Sequence, residues 1–189
     1  MMGLLLERGA ELDRPGGESS VVWCLRNGRG EAAEFLASRG ARLDFEGAAG
    51  VGRLDLVEAL VDGEKETRDG FAWACQFGRT AVVDFLLRKG MDVSAKLPHH
   101  GQTGLHWAAY GGYPETVTLL LQRGAPLEAR DDAFDGTPLG WALYAWREGR
   151  RGDYYETVGR LVRAGAQVDE VVTSDPRMAA ALRGEKNKT

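Results

Sequence analysis

Three histidines, His99, His100 and His106, carry the imidazoles of this chain that could ligate a metal or shuttle a proton, and two of them are adjacent. A zinc site needs three or four convergent ligands. Adjacent side chains diverge, and neither Cys24 nor Cys75 falls close enough in sequence to join them. The two cysteines lack the close spacing of a metal knuckle or a redox pair, and nothing around them marks an activated thiolate, so they read as reduced core thiols. Gly47-Ala48-Ala49-Gly50-Val51-Gly52 has the glycine density of a phosphate-cradling loop but no Lys-Ser/Thr and no preceding strand. No Gly-x-Ser-x-Gly elbow or His-Glu-x-x-His run occurs. The paired carboxylates Asp131-Asp132 sit in an expected exposed finger loop, where they read as solvated charge. These patterns predict no catalytic residue, no metal, no cofactor and no small-molecule substrate.

The bulk numbers narrow the partners further. With 189 residues, 43% of them hydrophobic, the chain is long enough for one core. A net charge of -4 and a pI near 5.5 leave no excess of Lys and Arg to neutralise a phosphate backbone, so nucleic acid is excluded as the expected partner. Met1 to Arg8 contains three consecutive leucines before charge returns, too short for a signal or a membrane span. A soluble, cytoplasmic protein with no membrane partner is expected.

The elements that would position any site come from self-similarity. A phrase of leucines, a basic residue and Gly-Ala recurs as Leu4 to Ala10, Phe35 to Ala41, Phe85 to Met91, Leu119 to Ala125 and Leu161 to Ala166, with a weaker version from Ala59 to Gly63. Each offers an apolar helical face and then a glycine where a left-handed cap would end the helix. A shorter helix precedes most of them, over Val21 to Asn27, Phe45 to Val51, Phe71 to Phe77, Leu105 to Gly111 and Leu139 to Ala145. Small residues share one register in these segments (Cys24, Ala48-Ala49, Ala74-Cys75, Ala108-Ala109, Ala142), which is where neighbouring helix pairs should stack.

Thr103-Gly104-Leu105-His106-Trp107-Ala108-Ala109, continuing from Glu115 to Ala125, resembles an ankyrin repeat, and Thr137-Pro138-Leu139-Gly140 repeats its signature. The resemblance implies an all-α solenoid of helix-turn-helix units, about five repeats plus partial terminal units. The expected divisions are a half-repeat over 1–13, which reads as a cap or as the stub of a longer array, repeat one over 14–44, repeat two over 45–64 without a finger, repeat three over 65–96, repeat four over 97–130, repeat five over 131–169 with an insertion at 147–153, a capping helix over 170–183 and a frayed tail over 184–189. Full finger loops fit only before repeats four and five. Gly47 and Gly50 should weaken the first helix of repeat two. His106 takes the family's Thr-x-x-His position, which implies a structural hydrogen bond to Thr103 and the neighbouring loop.

Trp23, Trp73, Trp107 and Trp141 superpose when the repeats are aligned, which reads first as packing between repeats. The positions that follow them line the concave face in the ankyrin family. The resemblance therefore implies a protein partner, of unknown identity, docked on repeats three to five around Trp73, Gln76, Phe77, His99, His100, Gln102, Trp107, Tyr110, Trp141 and Tyr144. Phe77, Tyr110 and Tyr144 are expected to lie outside the core, as binding aromatics do. Arg147, Arg150 and Arg151 read as a solvated loop or as a small basic patch for an acidic partner. The alternative is a structural fragment of a longer array, or an oligomer subunit, with no binding site of its own.

Overall fold

Where glycine closes a leucine-rich phrase, a helix ends in the structure, a computed structural model that describes residues 11–13, 16–61, 64–98, 100–168 and 173–185, without the side chains of 64–66. Gly40, Gly90, Gly124 and Gly165 all take positive φ. The next residue's N–H then reaches back one turn, Ala41 to the Leu36 carbonyl at 3.1 Å and Met91, Ala125 and Ala166 to Leu86, Leu120 and Leu161 at 3.0 Å each. This is the Schellman closure, and the alanine of each Gly-Ala pair is buried against the helix it ends.

Eleven helices and no strand occur among the described residues, so the chain is an all-α repeat solenoid. They run as pairs: α1 (Ser20–Arg26) with α2 (Gly30–Ser38), α3 (Phe45–Val51) with α4 (Leu54–Leu60), α5 (Glu64–Gln76) with α6 (Thr80–Arg88), α7 (Gly104–Gly111) with α8 (Pro114–Gln122), and α9 (Pro138–Arg147) with α10 (Tyr154–Arg163). A last helix, α11 (Pro176–Leu182), packs on α10. The first helices α1, α3, α5, α7 and α9 stack in order as an inner layer, and the second helices from α4 to α10 stack outside them. Fully buried Ala48, Ala49, Ala74, Cys75, Ala108, Ala109 and Ala142 line the inner seam, where small side chains let backbones approach.

Several elements differ from what the sequence suggests. Helix α5 begins at Glu64, well before Phe71, because 64–70 contains no proline and its only glycine, Gly70, is placed where any Cβ would stand 2.4 Å from the Phe45 ring. Gly50 is likewise a close-approach site: a Cβ there would meet Leu25 of α1 at 2.4 Å. Gly184 and Glu185, expected to fray, close α11 through N–H bonds to Ala181 and Ala180 at 2.9 and 3.0 Å. The expected half-repeat lies almost wholly outside the described residues, as do His99 and most of the tail.

The core has two parts. One runs from Phe45 to Ala181 through the stacked pairs. A second gathers Val21, Cys24, Leu25, Ala33, Leu36 and Ala41 of the first unit around Trp73 of α5 and Phe77 just past its end. Phe77 is therefore 8% exposed, and not the free surface aromatic expected. The Gly30 backbone at the start of α2 lies over its ring, so close that a Cβ there would fall 2.7 Å from Cδ1.

Candidate functional site

Trp73, Trp107 and Trp141 sit at matching positions of α5, α7 and α9, and the stack carries their rings along one face. Trp73 and Trp107 have centroids 6.4 Å apart, Trp107 and Tyr110 6.2 Å, Tyr110 and Trp141 5.5 Å, and Trp141 and Tyr144 6.0 Å, the last three edge to face. A groove of about 510 Å³ opens along this row. Of the residues anticipated from sequence, Trp73, Gln76, His100, Gln102, Trp107, Tyr110 and Trp141 line it. Tyr144, 53% exposed, belongs to an adjoining hollow of about 450 Å³ that shares Tyr110, Phe134 and Trp141 with the first. Phe77 faces neither; it contributes to a third hollow between the α1–α2 turn and the residue 149–151 turn. Trp23, the fourth member of the tryptophan series, is 52% exposed and lines none of the three, with Arg29 set 5.8 Å above its ring.

Arg26 and Asn27, which follow Trp23 at the positions the family resemblance places on the concave face, line the groove although they were not among the expected site residues. Sequence reasoning missed Gly28 and Phe134, and placed Arg150 only in a solvated loop or basic patch. Phe134, at the tip of the 131–136 loop, is 71% exposed and stands 5.7 Å from Trp141 and 6.3 Å from His100, ring centre to ring centre. Arg150 follows α9 and lies over the Tyr110 ring at 4.4 Å. Its neighbour Arg151 ion-pairs with Glu31 of α2, so the turn after α9 meets the first helix pair at the third hollow, which both residues line. Aromatic spacing gave no sign of this, because the contact joins residues far apart in sequence.

Buried polar groups fix the rings. Asp131, expected as solvated charge, is 4% exposed. Its Oδ1 accepts from the amides of Ala133 and Phe134 at 2.9 and 2.8 Å, and its Oδ2 accepts from the Gly136 amide and the Trp141 indole, both at 2.9 Å. Burial pushes this carboxyl up, but the Trp141 and loop donors outweigh it and hold the group below its ordinary range. The opposite balance holds at Glu46, which accepts from the Trp73 indole at 3.3 Å: burial keeps it above the usual carboxylate value. His106 Nδ1 accepts from the Thr103 amide at 3.0 Å, so the proton rests on Nε2, which donates to the Gly136 carbonyl at 3.0 Å. Burial holds this histidine below its ordinary pKa, as a neutral post between α7 and the 131–136 loop. Tyr154, its phenol pushed up to about 12 by burial, donates to the Tyr110 carbonyl at 2.9 Å.

The finger loops are tied in the same way. Leu97 N–H donates to Gln102 O at 2.8 Å, and Asp132 N–H crosses to His100 O at 2.8 Å. His100 and Gly101 both take positive φ at the turn, and a Cβ on Gly101 would overlap the Asp132 carboxylate at 2.1 Å.

What remains unsatisfied lies in the groove. Gln76 Oε1, Gln102 Oε1 and Trp107 Nε1 are three of the four buried side-chain polar atoms without a partner among the described residues, and all three residues line the 510 Å³ hollow. Gln76 and Gln102 are 7% and 3% exposed. An unmade hydrogen bond at a buried group costs about 1–3 kcal/mol, so these atoms mark where the wall of the groove is short of partners. Burial raises both cysteine thiols, most strongly Cys75, so neither is an activated thiolate. Among the described residues no three His, Cys, Asp or Glu side chains come together as a metal cluster would, and no helix is long and apolar enough to cross a membrane.

The family model for ankyrin repeats in three copies matches residues 45–131 and again 71–172. No curated protein matches the chain.

Proposed function

Because the chain belongs to the ankyrin-repeat family, whose members generally mediate protein–protein interaction, we propose that it is a non-catalytic module that holds a protein partner in the groove formed by α5, α7, α9 and the finger loops. The supporting observation is the row of rings from Trp73 to Tyr144. Its members lean on one another, two of the three indole N–H groups are fixed by carboxylates, and the row still reaches solvent at Phe134 and Tyr144. Rigid, partly exposed aromatics lose little freedom on contact and dominate interface energies.

The test begins with affinity capture from the native source and identification by mass spectrometry, followed by calorimetry on the identified partner. Tyr144→Ala should weaken binding roughly thirtyfold, the equivalent of about 2 kcal/mol. Its melting temperature should stay near that of the parent, since the side chain is 53% exposed. A partner whose affinity for Tyr144→Ala and Tyr110→Ala stays within twofold of the parent would place binding elsewhere on the molecule.

A further inference from the structure

On the reading that the groove is the binding site, we infer that its occupant is an extended acidic peptide segment. The charged residues that line the groove are Arg26 and Arg150, both cationic, and no Asp or Glu lines it. Arg26 is already paired with Glu18 and stands 3.6 Å from Glu46. Arg150 forms no ion pair with a described residue and presents its guanidinium over Tyr110 at 4.4 Å. The carboxylates that hold the tryptophans of the row are committed, Asp131 to three amides and an indole and Glu46 to Trp73 and Arg26, and Glu31, which shares the third hollow with Arg150, pairs with Arg151. A carboxylate on the occupant is the complement of Arg150, and a planar guanidinium takes it through two parallel N–H bonds.

The unpartnered atoms specify the rest. Gln76 and Gln102 offer buried acceptors and Trp107 a buried donor. A side-chain amide turned about its last torsion offers N–H in place of C=O. With small side-chain turns that uncover these atoms, a peptide backbone, which alternates N–H and C=O along its length, matches such a set in either direction. The rings of Trp107, Tyr110, Phe134 and Trp141 leave an apolar slot beside these atoms for one side chain of the segment. About 510 Å³ of open hollow falls within the range, roughly 300–1,000 Å³, of sites that enclose a ligand.

Selection of a phage-displayed random dodecapeptide library on the immobilised full chain tests this. The selected peptides are then synthesised with blocked ends and titrated by calorimetry. The expected peptides are enriched in Asp or Glu next to an apolar residue. Their affinity should fall at least tenfold in Arg150→Gln, recover in part in Arg150→Lys, and stay within twofold in Arg147→Gln, a neighbouring arginine that does not line the groove. Trp107→Phe, which keeps a ring and removes the N–H, should cost about fivefold. Thermal melts confirm that each variant is folded.

Neutral or basic peptides that bind and are lost with Tyr144→Ala would overturn the acidic occupant while leaving the groove as the site. Peptides indifferent to Arg150→Gln, Trp107→Phe and Tyr144→Ala alike would overturn both readings. Failure to select any peptide overturns the peptide inference alone, since the capture of a native partner tests the groove independently. Dimerisation in sedimentation that Arg150→Gln abolishes would assign the groove to a second copy of this chain and overturn the inference as well.

Discussion

Asp131 shows how far residue types carry and where they stop. Two adjacent carboxylates in a loop read as solvated charge, and for Asp132, which is exposed and ion-paired with Lys96, that reading is adequate. Asp131 differs because the 131–136 segment folds back on it, and sequence holds no signal that four donors converge there. The closest was the Asp-Gly-Thr-Pro phrase ahead of α9, which marks a turn without saying which aspartate organises it. The same loop brings Phe134 to the groove, so the missed aspartate and the missed phenylalanine have one cause. Asp131→Asn should expose the consequence. Placing an amide NH₂ toward the Gly136 and Trp141 donors leaves N–H facing N–H, and a lost bond to a buried charged acceptor costs about 1.5–3 kcal/mol. Denaturant unfolding at neutral pH should show a loss of that size with a changed Trp141 emission. Because the folded carboxyl is held below its ordinary 3.8, its contribution is complete above that value and is lost as pH falls through and below it. The gap between parent and variant should therefore narrow in acid; a gap of constant size down to pH 2 would show that the charge of Asp131 is not what holds the loop.

At the scale of helices, periodicity and glycine caps located the C-terminal phrases of four of the five outer helices, because a Schellman closure needs a glycine at a fixed offset and the sequence states it; the fifth phrase ends at Gly63, outside the described residues. Partnering was less legible. Gly47 and Gly50 read as defects of α3 when the helix is considered alone, but Gly50 is room for Leu25 once α1 is packed against it, and a Cβ on Gly47 would meet Asp44, Leu43 and Val21 at 3.2–3.5 Å. Phe77 was read as a surface aromatic for the same reason: the segment that covers it, Gly30 and its neighbours, lies far away in sequence and carries no mark of the contact. Gly50→Ala separates the two views. Helix propensity alone predicts a gain of about 1 kcal/mol. Overpacking predicts a cost of about 1–3 kcal/mol, because the new methyl would meet Cδ1 and Cδ2 of a fully buried Leu25 at 2.4 and 2.9 Å. The second term is the larger, so the midpoint of thermal unfolding should fall; a rise would mean that Leu25 moves aside freely and that Gly50 is a propensity defect after all.

Across the whole molecule, stability in a stacked array is a sum of units and the interfaces between neighbours, so the weakest interface decides where the array opens first. The outer helices pack one on the next from α4 to α10, but α2 packs chiefly on α1 and α3 rather than on its outer neighbour α4. The connections on either side of α3 and α4, 39–44 and 61–63, are also much shorter than the finger loops 89–103 and 123–137. Besides α3, on which both helices of the first pair pack, what ties that pair to the rest is the second part of the core, in which Trp73 of α5 and Phe77 just past its end join the apolar residues of α1 and α2. The ion pairs across the same seam add little by comparison: Arg151 and Glu31 are 87% and 82% exposed, and exposed pairs are screened and entropically costly. Phe77→Ala should therefore act as a local uncoupling. Truncating a buried phenylalanine costs about 3–5 kcal/mol, and the loss falls mainly on the second part of the core, where Phe77 meets the first pair and Trp73. Hydrogen exchange on the variant should show amides of 21–36 opening well before those of 105–124, while 105–124 keeps the protection it has in the parent. The parent itself should show the milder form of this gradient, with 45–61 less protected than 105–124. Uniform loss of protection along the chain in Phe77→Ala would mean that the array unfolds as one cooperative unit, and that the two parts of the core are thermodynamically a single one.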